Sequence, residues 1–255
     1  MKLIDTHCHL YVEEFDGDRP AIIERAENEG VEKFYLPAID SSSLDRLLKT
    51  ELQYPGKCLA MMGLHPCSVK ENYLQELQLV EEWLAKRPFS AIGEIGLDFY
   101  WDKTFTDQQY EAFRRQLMLA KQYGLPAVLH SRDSLNESIG LVKSLQDGGL
   151  TGIFHCFGGT LEQAKQITDL GFYVGIGGII TYKNAGLGPV LEQLSLDHMV
   201  LETDAPYLSP VPFRGRRNES SYLKYIVQKL ADFKQMPVEE VAAITTRNAQ
   251  KIFGA

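Results

Sequence analysis

The chain has 255 residues, of which 26 are basic and 34 acidic, so its net charge is −8, and 44% of its residues are hydrophobic. These proportions are typical of an ordinary globular protein with enough apolar residues to build one large core. The acidic balance argues against a generally basic surface that would hold long nucleic acid by neutralising its phosphates, so any anionic substrate must be bound locally.

The chain has no low-complexity segment, no linker rich in Pro, Gly or Ser and no repeat of fixed period, which favours a single domain over residues 1–255. No apolar run approaches the roughly 20 residues of a membrane helix, and no basic-then-apolar leader is seen, so we expect a cytoplasmic protein without a membrane partner. Nothing indicates an obligate protein partner. The four cysteines include no CxxC pair, and we expect them to be reduced.

Short apolar runs rich in β-branched residues alternate with longer segments of helical period. The predicted strands are Leu3–His9, Lys33–Ile39, Cys58–Leu64, Ser90–Ile95, Ala127–His130, Gly152–His155, Phe172–Ile176 and Met199–Thr203. The predicted helices are Pro20–Asn28, Ser43–Gln53, Leu74–Lys86, one beginning at Thr106, Ser134–Leu145, Leu161–Leu170, Leu187–Leu194, Ser220–Phe233 and one beginning at Pro237. This alternation predicts an α/β fold, a (β/α)8 TIM barrel, with a doubly wound open sheet as the competing topology.

The clearest of these helices begins at Thr106. Thr106 and Gln109 match the pattern of a capping box, in which each side chain satisfies the free amide of the other residue. Apolar residues then recur at helical spacing from Tyr110 to Ala120, so this helix is expected to bury one face.

Histidines and carboxylates lie at the ends of several predicted strands. His7 and His9 are two residues apart at the end of the first strand, so their rings point to the same side, which is inward in a barrel. Glu94 ends the fourth strand between glycines, which allow close approach of a neighbouring backbone or a ligand. The fifth strand ends in His130 and the sixth in His155. Glu202 and Asp204 stand at the end of the eighth strand. If the strands are parallel, all these ends meet on one face of the barrel, where enzymes of this architecture place their active sites.

A single histidine at a strand end is more often structural than a ligand, but the group as a whole favours another interpretation. Four imidazoles and two carboxylates in one apolar cavity are costly to bury unless a cation pairs with them. This donor set suits divalent Zn, Mn, Fe or Co, and Mg where carboxylate and water dominate. Six ligands exceed the needs of one tetrahedral ion with an open position, so we predict two metal ions that share Glu94.

Two divalent cations lower the pKa of a bound water from 15.7 to near neutrality, and this predicts hydrolysis as the reaction class. Asp204, next to that water, would orient it and take its proton. The two ions would also hold the attacking and leaving oxygens of a phosphoryl or acyl centre.

Five ordered motifs resemble the successive signatures of the TatD family of metal-dependent hydrolases, amidohydrolase-like TIM barrels. They are His7-Cys8-His9, Gly93-Glu94-Ile95-Gly96-Leu97-Asp98, His130-Ser131-Arg132, His155-Cys156-Phe157 and Glu202-Thr203-Asp204-Ala205-Pro206-Tyr207-Leu208. The resemblance implies a divalent-metal deoxyribonuclease that trims single-stranded DNA from its 3′ end, with nucleic acid as substrate and two ions of Mg, Mn or Zn as cofactors.

Carried over residue by residue, the resemblance assigns His7 and His9 to one ion and His130 and His155 to the other. It makes Glu94 the bridge, and Asp204 a ligand of the first ion and the catalytic base. These assignments agree with the interpretation from the residues alone.

The resemblance also marks His65, followed by Pro66, as a contact to the substrate phosphate or a proton donor. The alternative is a structural histidine held extended by the proline. Glu202 is expected either to orient a ligand histidine or to pack as a strand residue with a lysine partner.

Three arginines are candidates for binding the phosphates of the substrate: Arg132, Arg214 and Arg217. Arg214 and Arg217 belong to the densest basic stretch of the chain, just after the eighth strand, and Arg132 follows His130 by two residues. Guanidinium groups suit bidentate phosphate contacts, although a run of arginines is usually a solvated loop. Tyr100 and Trp101 are candidates for stacking on bases, or for packing a loop.

Some positions depart from the family pattern, which leaves the substrate less certain than the metal chemistry. Gly158 stands where a serine or threonine is expected, and Phe213 where a histidine is frequent. The main alternative is therefore a metal-dependent esterase or amidase, such as a D-aminoacyl-tRNA deacylase. A further alternative is a non-catalytic barrel that binds metal or phosphate.

Overall fold

Eight parallel strands of the computed structural model, which describes residues 1–254, form a closed ring. The strands are β1 Leu3–Asp5, β2 Val31–Leu36, β3 Cys58–Ala60, β4 Ile92–Asp98, β5 Ala127–Arg132, β6 Gly152–Phe154, β7 Phe172–Ile176 and β8 Met199–Leu201. Two parallel ladders run in the order β1-β2-β3 and β4-β5-β6-β7-β8. A parallel bridge between Met62 and Ile92 joins them on one side.

The ring closes between the first strand and the last. The amide of Thr6 donates to the carbonyl of Leu201 at 3.0 Å, and the amide of Asp204 donates to the carbonyl of His7 at 2.9 Å. An open, doubly wound sheet has two free edges, so this closure excludes it. The predicted TIM barrel is confirmed.

The helices lie between and after the strands along the chain. They are α1 Arg19–Asn28, α2 Ser41–Gln53, α3 Tyr73–Lys86, α4 Thr106–Tyr123, α5 Leu135–Leu145, α6 Leu161–Asp169, α7 Gly188–Gln193, α8 Leu223–Lys234 and α9 Val238–Phe253. Each predicted helix is found within a few residues of its expected bounds. Within residues 1–254, no helix has the length and apolar character needed to cross a membrane.

The predicted capping box at the start of α4 is wrong. Thr106 donates to the carbonyl of Lys103 at 2.8 Å, and its side chain does not cap the helix. Gln109 instead accepts the amide of Asp98 at 2.9 Å and donates to the carbonyl of Asp98 at 3.2 Å. The side chain of Gln109 is not available to cap the helix, because it satisfies the backbone amide and carbonyl of Asp98 at the end of the buried strand β4.

A layer of eight side chains, one from each strand or the residue beside it, fills the amino-terminal half of the barrel. These are Ile4, Tyr35, Met61, Ala91, Val128, Ile153, Tyr173 and Val200. Ala249 and Ile252 of α9 pack below them. Full burial of a large apolar side chain stabilises the fold by about 1.5–3 kcal/mol, so this layer forms a firm floor beneath the carboxyl ends of the strands.

Candidate metal centre

The six predicted metal ligands meet at the carboxyl ends of the strands. Glu94 lies in β4 and His130 in β5, whereas the others lie just beyond their strands. Most are almost entirely buried, with exposed fractions of 0% for His7, 4% for His9, 2% for Glu94 and 7% for His155. Polar groups buried to this degree need partners, and at this site most of the partners are other titratable side chains.

Glu94 lies at the middle of the group, and its two carboxylate oxygens face different histidines. Oε2 lies 3.1 Å from Nε2 of His7 and 3.7 Å from Nε2 of His9. Oε1 lies 2.9 Å from Nδ1 of His130 and 3.7 Å from Nε2 of His155. The carboxylate therefore separates the four predicted ligand histidines into two pairs, one on each oxygen, and Oε1 also faces Nε2 of His65 at 3.5 Å.

Asp204 completes the side of the site that holds His7 and His9. Its Oδ1 lies 3.7 Å from Nε2 of His7, 3.5 Å from Nε2 of His9 and 3.9 Å from Nε2 of His155. Its backbone is left-handed, with φ of 58°. A non-glycine residue in this region is uncommon and is often found at functional sites.

These donors fit divalent metal ions. Ligands of one ion at the usual bond length of about 2.0–2.1 Å stand roughly 3–3.4 Å from one another, close to the separations found here. Among the six predicted ligands, the trios His7–His9–Glu94 and His7–His155–Asp204 each have donor atoms within 4.8 Å of one another. Both ring nitrogens of His7 are buried without a hydrogen-bond partner among residues 1–254, as expected for a side chain shaped to hold a cation.

The charges of the site also call for cations. Burial disfavours ionisation of Glu94, but the imidazoles of His7 and His65 hold the pKa of its carboxyl well below the usual value. Burial disfavours the charged form of His155, yet the carboxylates of Glu202 and Glu94 raise the pKa of its imidazole to about 10. Carboxylates buried this deeply need positive charge beside them, from imidazolium protons or from metal ions.

Glu202 is placed to orient His155. Its Oε1 lies 3.0 Å from Nδ1 of His155 and accepts the amide of Cys156 at 2.5 Å. Nε2 of His155 therefore faces Glu94 and Asp204. Gly175 of β7 leaves room for the carboxyl of Glu202, because a Cβ atom at that position would lie 2.2 Å from its Oε2.

Two further residues hold ligand histidines and were missed by the sequence analysis as site residues. Oδ2 of Asp98 lies 2.9 Å from Nε2 of His130, and the hydroxyl of Tyr11 lies 3.1 Å from Nδ1 of His9. Asp98 lies beyond the predicted end of the fourth strand at Ile95, but it continues the two-residue spacing from Glu94, and this spacing was an available signal. Tyr11 continues the two-residue spacing from His7 and His9, but no local pattern distinguishes it from a core tyrosine.

His65 lies at the same site, but its hydrogen bonds place the ring proton on the nitrogen that faces Glu94. Its Nδ1 accepts the amide of Cys67 at 3.0 Å, which leaves the proton of a neutral ring on Nε2. Nε2 in turn lies 3.5 Å from Oε1 of Glu94. A nitrogen that bears a proton is a donor and not a metal ligand.

A cavity of about 770 Å³ opens above the centre, lined by His9, His65, Glu94, Asp98, His130, His155 and Asp204 at its base. Its rim includes Trp101 and Arg132 on one side and Tyr207 on the other. Trp101 is 67% exposed, and Tyr207 is 48% exposed. The guanidinium of Arg132 lies 4.0 Å from the ring centre of Tyr100 and 5.3 Å from that of Trp101. A cation and exposed aromatic faces therefore flank the entrance.

The three arginines have different surroundings. Arg132 lines the cavity, whereas Arg214 lies against the ring of Tyr182 at 4.6 Å, outside the cavity lining. Arg217 forms a bidentate pair with Asp18 at 2.9 and 2.6 Å and donates to the carbonyl of Glu14 at 2.6 Å. The structure brings Arg132 to the site, and it directs the guanidinium of Arg217 to the α1 side of the barrel.

Comparison with known proteins places these observations in a family. The model of the family described as TatD related DNase matches residues 4–254. The chain is 39% identical over 252 residues to the metal-dependent hydrolase YabD of Bacillus subtilis (strain 168), with 98% of each chain covered. It is 34% identical over 255 residues to the metal-dependent hydrolase YjjV of Escherichia coli (strain K12), covering 99% of this chain and 98% of YjjV. The crystal structure of the TatD homologue YjjV from Escherichia coli K12 matches with a TM-score of 0.93 at 32% identity, over 99% of this chain and 98% of that one.

Proposed function

The chain belongs to the TatD family of metal-dependent hydrolases, and from that premise we propose that it is a deoxyribonuclease that removes nucleotides from the 3′ end of single-stranded DNA. Its cofactors in this proposal are two divalent ions of Mg, Mn or Zn. His7, His9 and Asp204 would hold one ion, His130 and His155 would hold the other, and Glu94 would be a ligand of both. Residues 1–255 act as one catalytic domain, since the ligands come from strands spread over the whole barrel.

The observation that supports this proposal best is the division of histidines between the two oxygens of Glu94. Oε2 faces His7 and His9, with the shorter distance 3.1 Å, and Oε1 faces His130 and His155, with the shorter distance 2.9 Å. One tetrahedral ion needs three protein ligands and an open position, and five ligands arranged about a central carboxylate suit two ions. Pairs of ions are a recurrent solution for the hydrolysis of phosphodiester bonds.

Bound divalent cations supply Lewis acidity and lower the pKa of water at the site. The residues of the chain accept the proton of the water and orient the substrate. Asp204 accepts the proton of the attacking water. Burial opposes the charge of its carboxyl, but the histidines around it, His9 and His155 among them, outweigh burial and hold its pKa below the usual value, so the group is ionised and has lone pairs free to accept. His65 offers the N–H of Nε2 as a hydrogen-bond donor to an oxygen of the phosphate.

The rim of the cavity suits the end of a nucleic-acid strand. Arg132 offers a guanidinium to a phosphate, and the faces of Tyr100 and Trp101 offer stacking surfaces to an unpaired base. The apolar floor of the barrel closes the cavity from below, so a strand enters by its end and does not thread through. Arg214, which lies against Tyr182 outside the cavity lining, is a further phosphate contact in this proposal.

A cleavage assay with purified protein tests the proposal. A short single-stranded DNA labelled at its 5′ end, incubated with Mg or Mn, is expected to shorten stepwise from the 3′ end, and Asp204→Asn is expected to reduce the rate by several orders of magnitude without loss of the fold. A matched 3′-blocked oligonucleotide should resist cleavage.

Two other results lead to different conclusions. Hydrolysis of an aminoacyl-tRNA ester with no cleavage of DNA identifies an esterase. Equal activity of wild type and Asp204→Asn on every substrate, with metal still bound, identifies a binding module without catalysis.

A further inference from the structure

We propose that Tyr11 is a positioning residue for the metal centre, which fixes His9 in the tautomer that presents the lone pair of Nε2 to a cation. The inference rests on the proposed role of His9 as a metal ligand. It adds a residue that touches neither ion nor substrate, and it makes predictions about metal affinity and tautomer that do not depend on the nature of the substrate.

Tyr11 lies on the chain just after the two ligand histidines of the first strand. Its side chain is 1% exposed, so its hydroxyl has little access to water. The hydroxyl oxygen lies 2.7 Å from the carbonyl oxygen of Pro37 and 3.1 Å from Nδ1 of His9. Both distances are within the range of hydrogen bonds.

The polarity of these two hydrogen bonds follows from the chemistry of the partners. A carbonyl oxygen only accepts, so Tyr11 must donate its single proton to Pro37. The hydroxyl oxygen then has only lone pairs left for His9, which must be the donor. Nδ1 of His9 therefore carries the proton, and a neutral His9 has its free lone pair on Nε2.

Nε2 is the nitrogen that faces the metal centre. It lies 3.5 Å from Oδ1 of Asp204 and 3.7 Å from Oε2 of Glu94. The acceptor of the Tyr11 hydroxyl, the carbonyl of Pro37, is also connected to the site. Ala38, next to Pro37, exchanges backbone hydrogen bonds with Gly93 and Glu94 at 3.1 and 3.2 Å. Tyr11 thus links the orientation of His9 to the segment that positions the bridging carboxylate.

The variant Tyr11→Phe removes the hydroxyl and keeps the ring that packs in the core. Tyr35→Phe is a matched control, because Tyr35 is also 1% exposed but its hydroxyl has no hydrogen-bond partner among residues 1–254. Affinity for Zn or Mn is measured by competition with a fluorescent chelator, starting from chelator-stripped protein. Loss of a partner of a ligand histidine typically weakens metal binding about 10–100-fold, which we expect for Tyr11→Phe and not for Tyr35→Phe.

A second measurement reads the tautomer directly and does not need the variant to fold. Nitrogen NMR of metal-free wild type, at mildly alkaline pH, is expected to show His9 protonated at Nδ1 and unprotonated at Nε2. The opposite tautomer, or a Tyr11→Phe protein that folds and binds metal as tightly as wild type, overturns the proposal. Absence of DNA cleavage by a wild type that binds metal and has the expected tautomer would count against the proposed function alone.

Discussion

Three of the predicted ligand histidines have their second nitrogen beside a side-chain oxygen, and these partners differ in chemistry. The pairs are His9 with Tyr11, His130 with Asp98, and His155 with Glu202. A carboxylate partner makes an imidazole a stronger ligand than a neutral phenol does. The two histidines proposed for the second ion, His130 and His155, are therefore the more basic donors.

Asp98 has a further role at the scale of single residues, because its two oxygens serve different structures. Oδ2 faces His130, and Oδ1 accepts the amides of Tyr100 and Trp101 at 3.0 Å each. Burial opposes its charge, but the hydrogen bond with His130 and the amide of Trp101 hold the pKa of this carboxyl below its usual value. One side chain thus holds both a metal ligand and the aromatic rim.

We predict that Asp98→Asn weakens metal binding about 10–100-fold, because the amide nitrogen that replaces Oδ2 cannot accept a proton from His130. The remaining amide oxygen still accepts the two amides of the rim loop. Asp102→Asn is the control, since Asp102 lies in the same loop but pairs with Lys70 at 2.6 Å, away from the histidines. Chelator competition measures the affinity, and equal affinities for the two variants would contradict a role of Asp98 in holding His130.

At the scale of the elements, the sequence predicts the strands and helices well because each unit of a parallel barrel has a local pattern. Strands buried on both faces appear as apolar runs, and the helices between them have one apolar face. The ends of the strands are less predictable. β1 ends at Asp5 and not at His9, because the residues beyond it leave the ladder to aim their side chains at the metal centre. The cap predicted at Thr106 failed because Gln109 is bound by the end of β4.

The pair β7 and β8 gives a test at this scale. A Cβ atom at Gly175 would lie 2.2 Å from Oε2 of Glu202, whereas one at Gly177 would lie no closer than 3.8 Å to that side chain. We predict that Gly175→Ala displaces the carboxyl of Glu202, frees Nδ1 of His155 and weakens metal binding by about 10-fold or more. Gly177→Ala is the matched control on the same stretch of chain.

Metal affinity and thermal unfolding of the stripped proteins separate the possible causes. Metal affinity is measured at a temperature where both variants are fully folded. We expect the loss of affinity in Gly175→Ala to exceed that in Gly177→Ala under these conditions. A Gly175→Ala protein with unchanged affinity would show that Glu202 adapts, and that the space beside it does not matter for His155.

At the scale of the whole molecule, contacts between residues far apart in the sequence limit what can be predicted from the sequence alone. The predicted metal ligands come together because each lies at or just beyond the end of a strand, and the barrel topology brings strand ends together. The contacts of Tyr11 with Pro37 and of Arg217 with Asp18 could not be predicted, because the partners are distant in sequence and carry no pattern of their own. Arg217 bonds Asp18 across 199 positions, which fixes the segment after β8 against the start of α1.

A second ion pair also joins the segment after β8 to α1, and it allows a prediction about how stability depends on pH. The carboxyl of Glu219 accepts Nε and Nη2 of Arg25 in α1 at 3.0 and 2.6 Å, and it also accepts the hydroxyl of Ser221. Burial opposes the charge of Glu219, but the hydrogen bonds from Arg25 and Ser221 outweigh it and lower the pKa of this carboxyl below its usual 4.5. A carboxyl whose pKa is lowered on folding stabilises the native state above the unfolded pKa, and that stabilisation is lost as the pH falls through the folded value.

We therefore predict that Glu219→Gln lowers the free energy of unfolding of the metal-free protein by about 1–2 kcal/mol at neutral pH, a range reduced because Arg25 is half-exposed. The difference from wild type should shrink as the pH falls below 4.5, the usual pKa of a glutamate. Glu29→Gln is the control, since the pair of Glu29 with Lys224 joins the same two regions, but the side chain of Glu29 is 38% exposed against 9% for Glu219, and pairs open to solvent contribute about 0–1 kcal/mol. Urea unfolding at several pH values measures both variants, and a difference for Glu219→Gln that grows towards acid pH would mean that its carboxyl is not charged in the native state.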